Sequence, residues 1–286
     1  MKVSIILPVY NGEKYIERAI KSVLAQKYNN YELLILDGAS TDSTMEIVSR
    51  YKEHIDVIIS KPDHGYADAM NKGIKKASGD YIFMLAADDY LLPEALVQFA
   101  NTIKACTDVW SGSVIHKKPY GYELIRSEND LEKLHFYCSI RHPGSFFRKI
   151  AYEKFGMYNT TFTCAADREL FLRFYTKGAN FQIEDYPIVL FHIGGLSSDN
   201  PAKYVYPEDE KISVMYGMPE NLAHQYYLEK IEKLWQITRK EKVKILLFRL
   251  GILRCLYRLK GQNDVCLSVK EVTTLGVPMD LAKEPF

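Results

Sequence analysis

The first 115 residues alternate between short apolar runs and longer amphipathic stretches. The apolar runs are continuous rather than alternating with polar residues, which is typical of strands covered on both faces in a parallel sheet. We therefore predict four parallel strands in this part of the chain. Their sequences are VSIIL (3–7), LLIL (33–36), VII (57–59) and YIFML (81–85).

Between these runs, apolar residues recur every three or four positions, as they do on one face of an α-helix. Asn11 is placed to cap the first predicted helix, Ser40 to Asp42 to cap the second, and Gly79 to end the third. Strand and helix thus alternate with the connection length of βαβ units. The pattern predicts an α/β fold with a doubly wound, mostly parallel sheet.

The remaining sequence is mixed and rich in aromatic residues. We expect a helix over 165–177, strands near 181–185 and 188–193, and a linker at 197–210, where the chain is polar and contains two prolines. A helical period follows at 220–260. These patterns predict a domain at 1–200, with halves at 1–115 and 116–200, and a helical extension at 201–286.

Charge and cysteine content exclude several classes of protein. The formal net charge of +1 gives no reason to expect nucleic-acid binding. The five cysteines are widely spaced and never form Cys-x-x-Cys, which argues against a disulfide framework and a structural zinc site. The first apolar run is too short for a signal peptide, and no run reaches the roughly 18 residues of a membrane span. We expect a cytoplasmic protein, or one that is peripheral at the inner membrane face.

Polar residues follow each predicted strand, where the loops of a doubly wound sheet form the ligand crevice. Asp88 and Asp89 follow the fourth strand, and adjacent carboxylates suit Mg²⁺ or Mn²⁺ bound together with substrate phosphates. The alternative is that Asp88 caps a helix or that both residues form a solvated turn. Asp37 follows the second strand and can accept hydrogen bonds from a nucleobase or a ribose.

Glycine-rich phosphate loops are missing after the first strand, whose loop reads PVYNGEKY. Neither G-x-G-x-x-G nor G-x-x-x-x-G-K-[ST] occurs there. A dinucleotide-dependent dehydrogenase and a P-loop NTPase are therefore disfavoured.

Together, these segments resemble the family 2 glycosyltransferases, an inverting group with the GT-A fold. The likeness spans about residues 2–198, and DGASTDST and DAMNKGI resemble bacterial members that act on surface polysaccharides or glycoproteins. The segments that carry it are SIILPVYNGEKYIERAIKSVLAQ, LLILDGASTDST, SKPDHGYADAMNKGIKKASGDYIFMLAADD with its metal-binding end, AADRELFLR (165–173) around the catalytic base, and HIGGLSS (192–198) near the diphosphate.

The resemblance implies transfer of a sugar from a nucleotide-sugar donor, most often a UDP-sugar, to a hydroxyl of a glycan, glycolipid or glycoprotein. It implies that Asp167 is the general base and that Asp88, with Asp89 beside it, holds Mn²⁺ or Mg²⁺. His142 would lie near the acceptor. The implied donor contacts are Pro8, Val9, Tyr10 and Asn11, Asp37 on the base, and Asp68 and Asn71 at the pocket edge, with His192, Gly194 and Gly195 near the diphosphate.

Three positions depart from the usual family pattern. Ala86 stands where the first Asp of Asp-x-Asp is usual, Met70 where many relatives have Arg, and Ala166 where many have Glu. Ala86 motivates a second hypothesis, a catalytically silent nucleotide-sugar-binding subunit that supports a partner enzyme. A third hypothesis is a nucleotidyltransferase, which would release pyrophosphate.

Structural roles compete with several of these assignments. An acidic residue at position 167 is favoured by the helix dipole alone, and a lone histidine such as His142 or His192 is commonly a hydrogen-bonded structural residue. The basic stretch at 240–262 is assigned three alternatives: it packs on the sheet domain, it pairs with a second copy of the chain, or it lies on an anionic membrane surface.

Overall fold

The structure is a computed structural model that describes residues 1–118, 121–194, 200–249, 266–267 and 269–278. It divides into two compact units. The first unit comprises Met1–Ile115 and Ile125–His192, and the second comprises His116–Leu124 and Ile193–Phe286. The sequence pattern did not indicate that residues 116–124 leave the first unit.

The first unit is built on one twisted sheet. Parallel pairing joins β1 (Val3–Val9) to β2 (Tyr31–Asp37) and to β4 (Tyr81–Met84), and β2 to β3 (Val57–Ser60). These are the four strands predicted from the apolar runs. Antiparallel strands extend the sheet beyond β4: β5 (Tyr90–Leu91), β6 (Val109–Lys118), β8 (Ser145–Arg148) and β9 (Phe181–Phe191), with the order β6-β8-β4-β1-β2-β3 and with β9 paired to β5 and β6.

Continuous apolar runs mark the strands with buried faces, as the pattern predicted. Every residue of β1 and β4 is buried, whereas β3, at the edge of the sheet, alternates between half-buried and exposed residues. Near β8, an aromatic cluster closes the core, in which the Phe99 and Phe146 rings stack with centroids 4.0 Å apart. This packing fixes the strand ends that carry the polar loops.

Six α-helices belong to the first unit. The helix predicted at 165–177 is present as α6, and the helix expected to end at Gly79 ends three residues earlier. Gly79 instead allows close chain contact, because a Cβ there would lie 2.8 Å from the Ser4 nitrogen. The helices are α1 (Ile16–Leu24), α2 (Thr44–Ser49), α3 (Tyr66–Lys76), α4 (Ala95–Thr102), α5 (Lys149–Phe155) and α6 (Ala166–Thr176).

The first helix begins later than predicted, so Asn11 does not cap it. Its N-cap is Tyr15, and the Asn11 side chain instead accepts a hydrogen bond from the Thr41 backbone at 2.8 Å. The N-cap of the second helix is Ser43 and not a residue of 40–42 as predicted, although the Asp42 carboxylate accepts from the Thr44 backbone at 3.0 Å. The loops after β1 and β2 are therefore bonded to each other, which favours Asn11 in a left-handed conformation (φ 49°) over a helix cap.

The predicted linker at 197–210 is wrong for its described part. Residues from Pro201 onward form α7 (Pro201–Tyr204) and α8 (Tyr206–Met215). Both helices have proline in the first turn, where the missing N–H has no helical partner to lose. The prolines start helices here rather than interrupting them.

The second unit also contains β7 (Gly121–Ile125), α9 (Glu220–Arg249), β10 (Cys266–Leu267) and α10 (Val269–Thr274). Strands β7 and β10 pair antiparallel. Tyr227 is buried and its hydroxyl lies 3.0 Å from that of Ser213, which joins α9 to α8. Among the described residues, no helix combines the length and the apolar character needed to cross a membrane. The basic stretch at 240–262 lies outside the described side chains.

Candidate active site

The carboxyl ends of β1, β2, β3 and β4 form one edge of the sheet, which is the ligand-binding edge of a doubly wound fold. Strand β8 runs antiparallel to β4, with Phe146 opposite Phe83. The residues that precede β8 therefore lie at the same edge as the loop that follows β4. This brings the segment around residues 138–144 to the crevice, although it is distant in sequence.

The two carboxyl groups after β4 have different surroundings. Asp89 is 1% exposed and accepts a hydrogen bond from the His192 backbone at 2.9 Å. Burial raises its pKa well above the ordinary value, and the adjacent charge of Asp88 raises it further. Asp88 is half-buried, and its carboxylate forms no hydrogen bond or ion pair within the described part of the chain. Only the Asp88 carbonyl is engaged there, by an Arg18 guanidinium N–H at 2.7 Å.

This arrangement fits a cation held by one protein carboxylate and completed by substrate. Asp88 supplies an unengaged oxygen donor, whereas one Asp89 oxygen is already bonded to the backbone. No group of three or more His, Cys, Asp or Glu side chains that could enclose a metal occurs among the described residues. Mg²⁺ and Mn²⁺ are commonly bound by one or two carboxylates together with phosphates and water, so Asp88 suits them better than a fully protein-built site would.

The charges of three of the predicted acids act on Tyr66, the first residue of α3. Crowding around its phenol raises its pKa although the residue is 44% exposed, and the charges of Asp89, Asp88 and Asp167 raise the pKa further. All three carboxylates therefore act on the same hydroxyl. Asp88 and Asp167 are 79 residues apart in the sequence, and the fold brings them to one region.

Asp167 is the second residue of α6, and the two residues after it fix that helix in place. The Arg168 guanidinium donates to the carbonyls of Leu134 and His135, at 3.0 and 2.7 Å. Glu169 forms a two-pronged ion pair with Arg173. Asp167 itself remains half-buried, and one of its oxygens accepts from the Arg168 backbone at 2.7 Å. Burial raises the pKa of Asp167, partly offset by that backbone hydrogen bond.

A chain of polar contacts links half-buried Asn71 to buried His142. The Asn71 amide bonds to both backbone groups of Tyr158, at 2.8 and 2.9 Å. The Tyr158 hydroxyl lies 2.6 Å from His142 Nε2 and 3.3 Å from the Tyr152 hydroxyl. His142 is buried against aromatic rings, and burial lowers its pKa to about 4. The position near the acceptor predicted for His142 stays a prediction, and its contacts are those of a supporting residue.

On the donor side, Asp37 is bonded within the protein. It is 2% exposed and accepts from the Ser40 backbone and hydroxyl and from the Ser60 hydroxyl, the last at 2.6 Å. These bonds hold together the loops that follow β2 and β3. A direct contact from Asp37 to a nucleobase stays a prediction.

The loop after β3 adds a residue that sequence reasoning missed. One oxygen of the Asp63 carboxylate accepts a hydrogen bond from the Gly65 backbone at 3.0 Å. The other oxygen forms no hydrogen bond within the described residues. That oxygen would lie 2.8 Å from a Cβ at Gly38, and the Tyr10 ring would lie 3.4 Å from it. Tyr10 is 64% exposed. An exposed aromatic ring, a glycine and a carboxylate thus lie together where a nucleoside could bind. The sequence feature that could have indicated Asp63 is the polar segment SKPDHG at the end of a strand.

Of the other predicted residues, His192 contacts these groups through its backbone N–H, which donates to Asp89. Pro8 and Val9 are buried within β1, so Tyr10 and Asn11 are the exposed members of PVYN. Asp68 accepts from the His64 backbone and pairs with Lys72 at 2.8 Å, which makes it a helix-start residue. The His192 ring packs against Tyr15. Gly194 belongs to the second unit, and Gly195 lies outside the described residues.

A cavity of about 810 Å³ lies at the opposite edge of the sheet, near the start of β4. Two of its cationic side chains are engaged in the fold: Arg148 donates to the Tyr81 hydroxyl at 3.1 Å, and Lys149 donates to the Ala77 carbonyl at 2.6 Å. It contains none of the predicted site residues. The carboxyl-end crevice therefore remains the candidate site.

Solved structures share this fold. The structure of S. aureus TarS residues 1–349 matches with a TM-score of 0.60 at 19% identity, covering 88% of this chain and 80% of that one. The mannosyltransferase PcManGT from Pyrobaculum calidifontis, in complex with GDP-Man and Mn²⁺, matches with a TM-score of 0.61 at 15% identity, covering 91% and 88%. The α/β architecture is thus the GT-A fold that the resemblance predicted.

Two proteins similar in sequence are described as glycosyltransferases. An uncharacterized glycosyltransferase of Haemophilus influenzae is 38% identical over 102 residues, which is 35% of this chain and 41% of that protein. A PGL/p-HBAD biosynthesis glycosyltransferase of Mycobacterium bovis is 28% identical over 186 residues, 62% of this chain and 70% of that protein. The family model for glycosyl transferase family 2 matches residues 4–173. Because that match covers more than half of the chain, the protein belongs to glycosyl transferase family 2.

Proposed function

We propose that the protein is an inverting glycosyltransferase that moves a sugar from a nucleotide-sugar donor to a hydroxyl of a glycan, glycolipid or glycoprotein. The observation that supports the proposal is that the charges of Asp89, Asp88 and Asp167 all raise the pKa of Tyr66, while the segment before β8 lies at the same sheet edge as the loop after β4. One half-buried carboxylate without a partner and a second at a helix start supply the two functions that such a transfer needs. The first binds the donor diphosphate through a cation, and the second accepts a proton.

Asp167 is the proposed general base. An acceptor hydroxyl is barely acidic and must lose its proton as its oxygen attacks the anomeric carbon, and a positioned base contributes roughly 10²–10⁴ in rate. Burial raises the pKa of Asp167 and so brings it nearer to the pH at which the enzyme works. Attack opposite the departing diphosphate inverts the anomeric centre. The fastening of α6 by Arg168 and Glu169 holds the carboxylate in place for this step.

The donor is held on the other side of the crevice. We assign the nucleoside to the Tyr10 ring and the loops organised by Asn11 and Asp37, and the diphosphate to Asp88. Asp88 would hold a Mg²⁺ or Mn²⁺ ion, whose positive charge would stabilise the leaving diphosphate. In support, S. aureus TarS has been solved in complex with UDP-GlcNAc, and PcManGT in complex with GDP-Man and Mn²⁺. UDP-sugars are the expected donors.

The test is release of nucleoside diphosphate by the purified chain from UDP-GlcNAc, other UDP-sugars and GDP-mannose, with and without chelator. Asp167→Asn is expected to lower turnover by roughly 10²–10⁴ and to leave donor affinity, measured by calorimetry, within about twofold. Glu53→Gln, at an exposed acid in the first unit, is the matched control. An Asp167→Asn enzyme with full activity would refute the assignment of the base.

Ala86 and the single unengaged carboxylate at Asp88 also favour a second function, a nucleotide-sugar-binding subunit without activity of its own. The same assay separates the two. Donor binding without release of nucleoside diphosphate supports the binding subunit, and release of pyrophosphate from a nucleoside triphosphate would indicate a nucleotidyltransferase.

A further inference from the structure

Arg141 is a fixed cation at the crevice that the proposed transfer does not yet use. Its backbone N–H donates to the Ser127 hydroxyl at 2.8 Å, and its carbonyl accepts from the Ser145 hydroxyl at 2.7 Å. Its guanidinium Nε donates to the Arg126 carbonyl at 3.2 Å. Three hydrogen bonds therefore hold the Arg141 main chain and its guanidinium Nε in place.

The two terminal nitrogens of this guanidinium remain unengaged. Within the described residues they form no hydrogen bond, and Arg141 forms no ion pair. Glu128, one of the acids on which the charge of Arg141 acts, is already paired with Lys133 at 2.6 Å. A half-buried arginine held by its Nε presents a planar pair of donors, which matches the oxygens of a phosphate or a carboxylate.

Arg141 lies on the acceptor side of the proposed reaction. Its segment passes directly beside Asp167, because Cys138 Sγ lies 3.9 Å from an Asp167 carboxylate oxygen and 3.2 Å from the Ile140 carbonyl. Arg141 follows Ile140 and precedes β8, at the same edge as the loop after β4. Its positive charge acts against the rise in the pKa of Asp167 that burial causes. The guanidinium is thus close to the carboxylate that would receive the acceptor proton.

We propose that Arg141 binds an anionic group on the acceptor, a phosphate or a carboxylate near the hydroxyl that receives the sugar. This inference rests on the proposed transferase function and specifies its acceptor class. Binding the anion at Arg141 places the neighbouring hydroxyl at Asp167. Neutral acceptors lack this contact, so sugar transfer to them is less efficient.

The experiment compares glucose 6-phosphate and glucuronate with glucose as acceptors. Nucleoside diphosphate release is measured with UDP-GlcNAc and with GDP-mannose, and binding of the three sugars to the full chain with UDP and Mg²⁺ is measured by saturation-transfer NMR. At least one acidic sugar is expected to bind and to react better than glucose. Which of the two responds distinguishes phosphate from carboxylate recognition.

Arg141→Gln is expected to reduce the preference for the acidic sugar over glucose by roughly 10- to 100-fold, the effect of losing a charge-assisted hydrogen-bond pair. Arg141→Lys restores part of it, since lysine keeps the charge but not the planar fork. Arg50→Gln, at an exposed arginine paired with Glu46 on α2, controls for net charge and leaves the preference unchanged.

Two results would overturn the inference. One is equal binding and equal use of acidic and neutral sugars by the unmodified enzyme. The other is an Arg141→Gln variant whose preference is unchanged while its pH–rate profile moves, because Arg141 would then act only through Asp167. The proposed function fails separately, by absence of both donor turnover and nucleotide binding, and the binding measurement on the acidic sugars still reports on Arg141 in that case.

Discussion

At His142, burial changes a titratable side chain into a neutral one. The imidazole packs against the rings of Phe147, Tyr158 and Phe171, and Nε2 lies 2.6 Å from the Tyr158 hydroxyl. Charging it inside this cluster is unfavourable, so burial lowers its pKa from 6.5 to about 4. His142 is therefore a neutral hydrogen-bonding group at physiological pH, because its burial in the core disfavours the protonated state.

The stability of the protein should depend on pH through this residue. Between pH 6.5 and 4 the unfolded chain carries a proton on His142 that the folded chain excludes, so the free energy of unfolding falls as the pH is lowered through this window. The full loss is about 3 kcal/mol, reached near pH 4. Denaturant unfolding of His142→Gln at pH 7, 6, 5 and 4 should show this part of the slope removed. His54→Gln, at an exposed histidine, should retain it; equal slopes in both variants would contradict the account.

Among the elements, α3 is joined to the segment before α6 by one side chain. Asn71 satisfies both the N–H and the C=O of Tyr158, and Tyr158 in turn contacts His142. Burial raises the pKa of the Tyr158 hydroxyl, and interactions with Tyr152, with Tyr66 and with the charge of Asp167 raise it further. The placement of the crevice residues on α3 relative to those near α6 therefore depends on this amide.

Replacing Asn71 with Ala should leave two backbone groups of Tyr158 without partners. We expect a loss of about 1–3 kcal/mol in the free energy of unfolding, the cost of an unsatisfied buried polar group. We also expect lower turnover, because Tyr66 and Asp167 would be less well positioned. Lys72→Ala is the matched control, since it removes the partly exposed pair with Asp68, worth no more than about 1 kcal/mol. Similar losses in the two variants would show that the amide has no special role.

Elements with a long apolar period were predictable, and contacts distant in sequence were not. The helix expected at 165–177 is observed at Ala166–Thr176, because its apolar face packs into the core. The start of α1 was placed too early, since the Asn11 side chain bonds to Thr41, 30 residues away. The same reason hides the bonds of Asn71 to Tyr158, which is 87 residues away. Local sequence patterns indicate secondary structure, whereas the partners of these side chains are determined by the tertiary fold.

For the whole molecule, the pair of acids after β4 is a cost in stability. Asp89 is buried next to a second carboxylate, and both effects raise its pKa above the ordinary value. Folding therefore works against its ionised form, as adjacent like charges in a buried site do. A divalent cation shared with a bound diphosphate favours the ionised carboxylates, so cation and nucleotide should stabilise the protein together.

Thermal unfolding measures this coupling. UDP or GDP with Mn²⁺, at about 100 times the dissociation constant, should stabilise the folded state by about 2.7 kcal/mol, because only the folded state binds them. For a chain of this size that corresponds to a rise in Tm of roughly 4–5 °C. With chelator the rise should be much smaller. Asp88→Asn should remove the dependence on Mn²⁺ and should not lower the Tm of the protein alone, since it relieves the repulsion at Asp89. A nucleotide-induced rise that is the same with Mn²⁺, with chelator and in Asp88→Asn would show that Asp88 holds no cation, and the donor diphosphate would have to be bound by other groups.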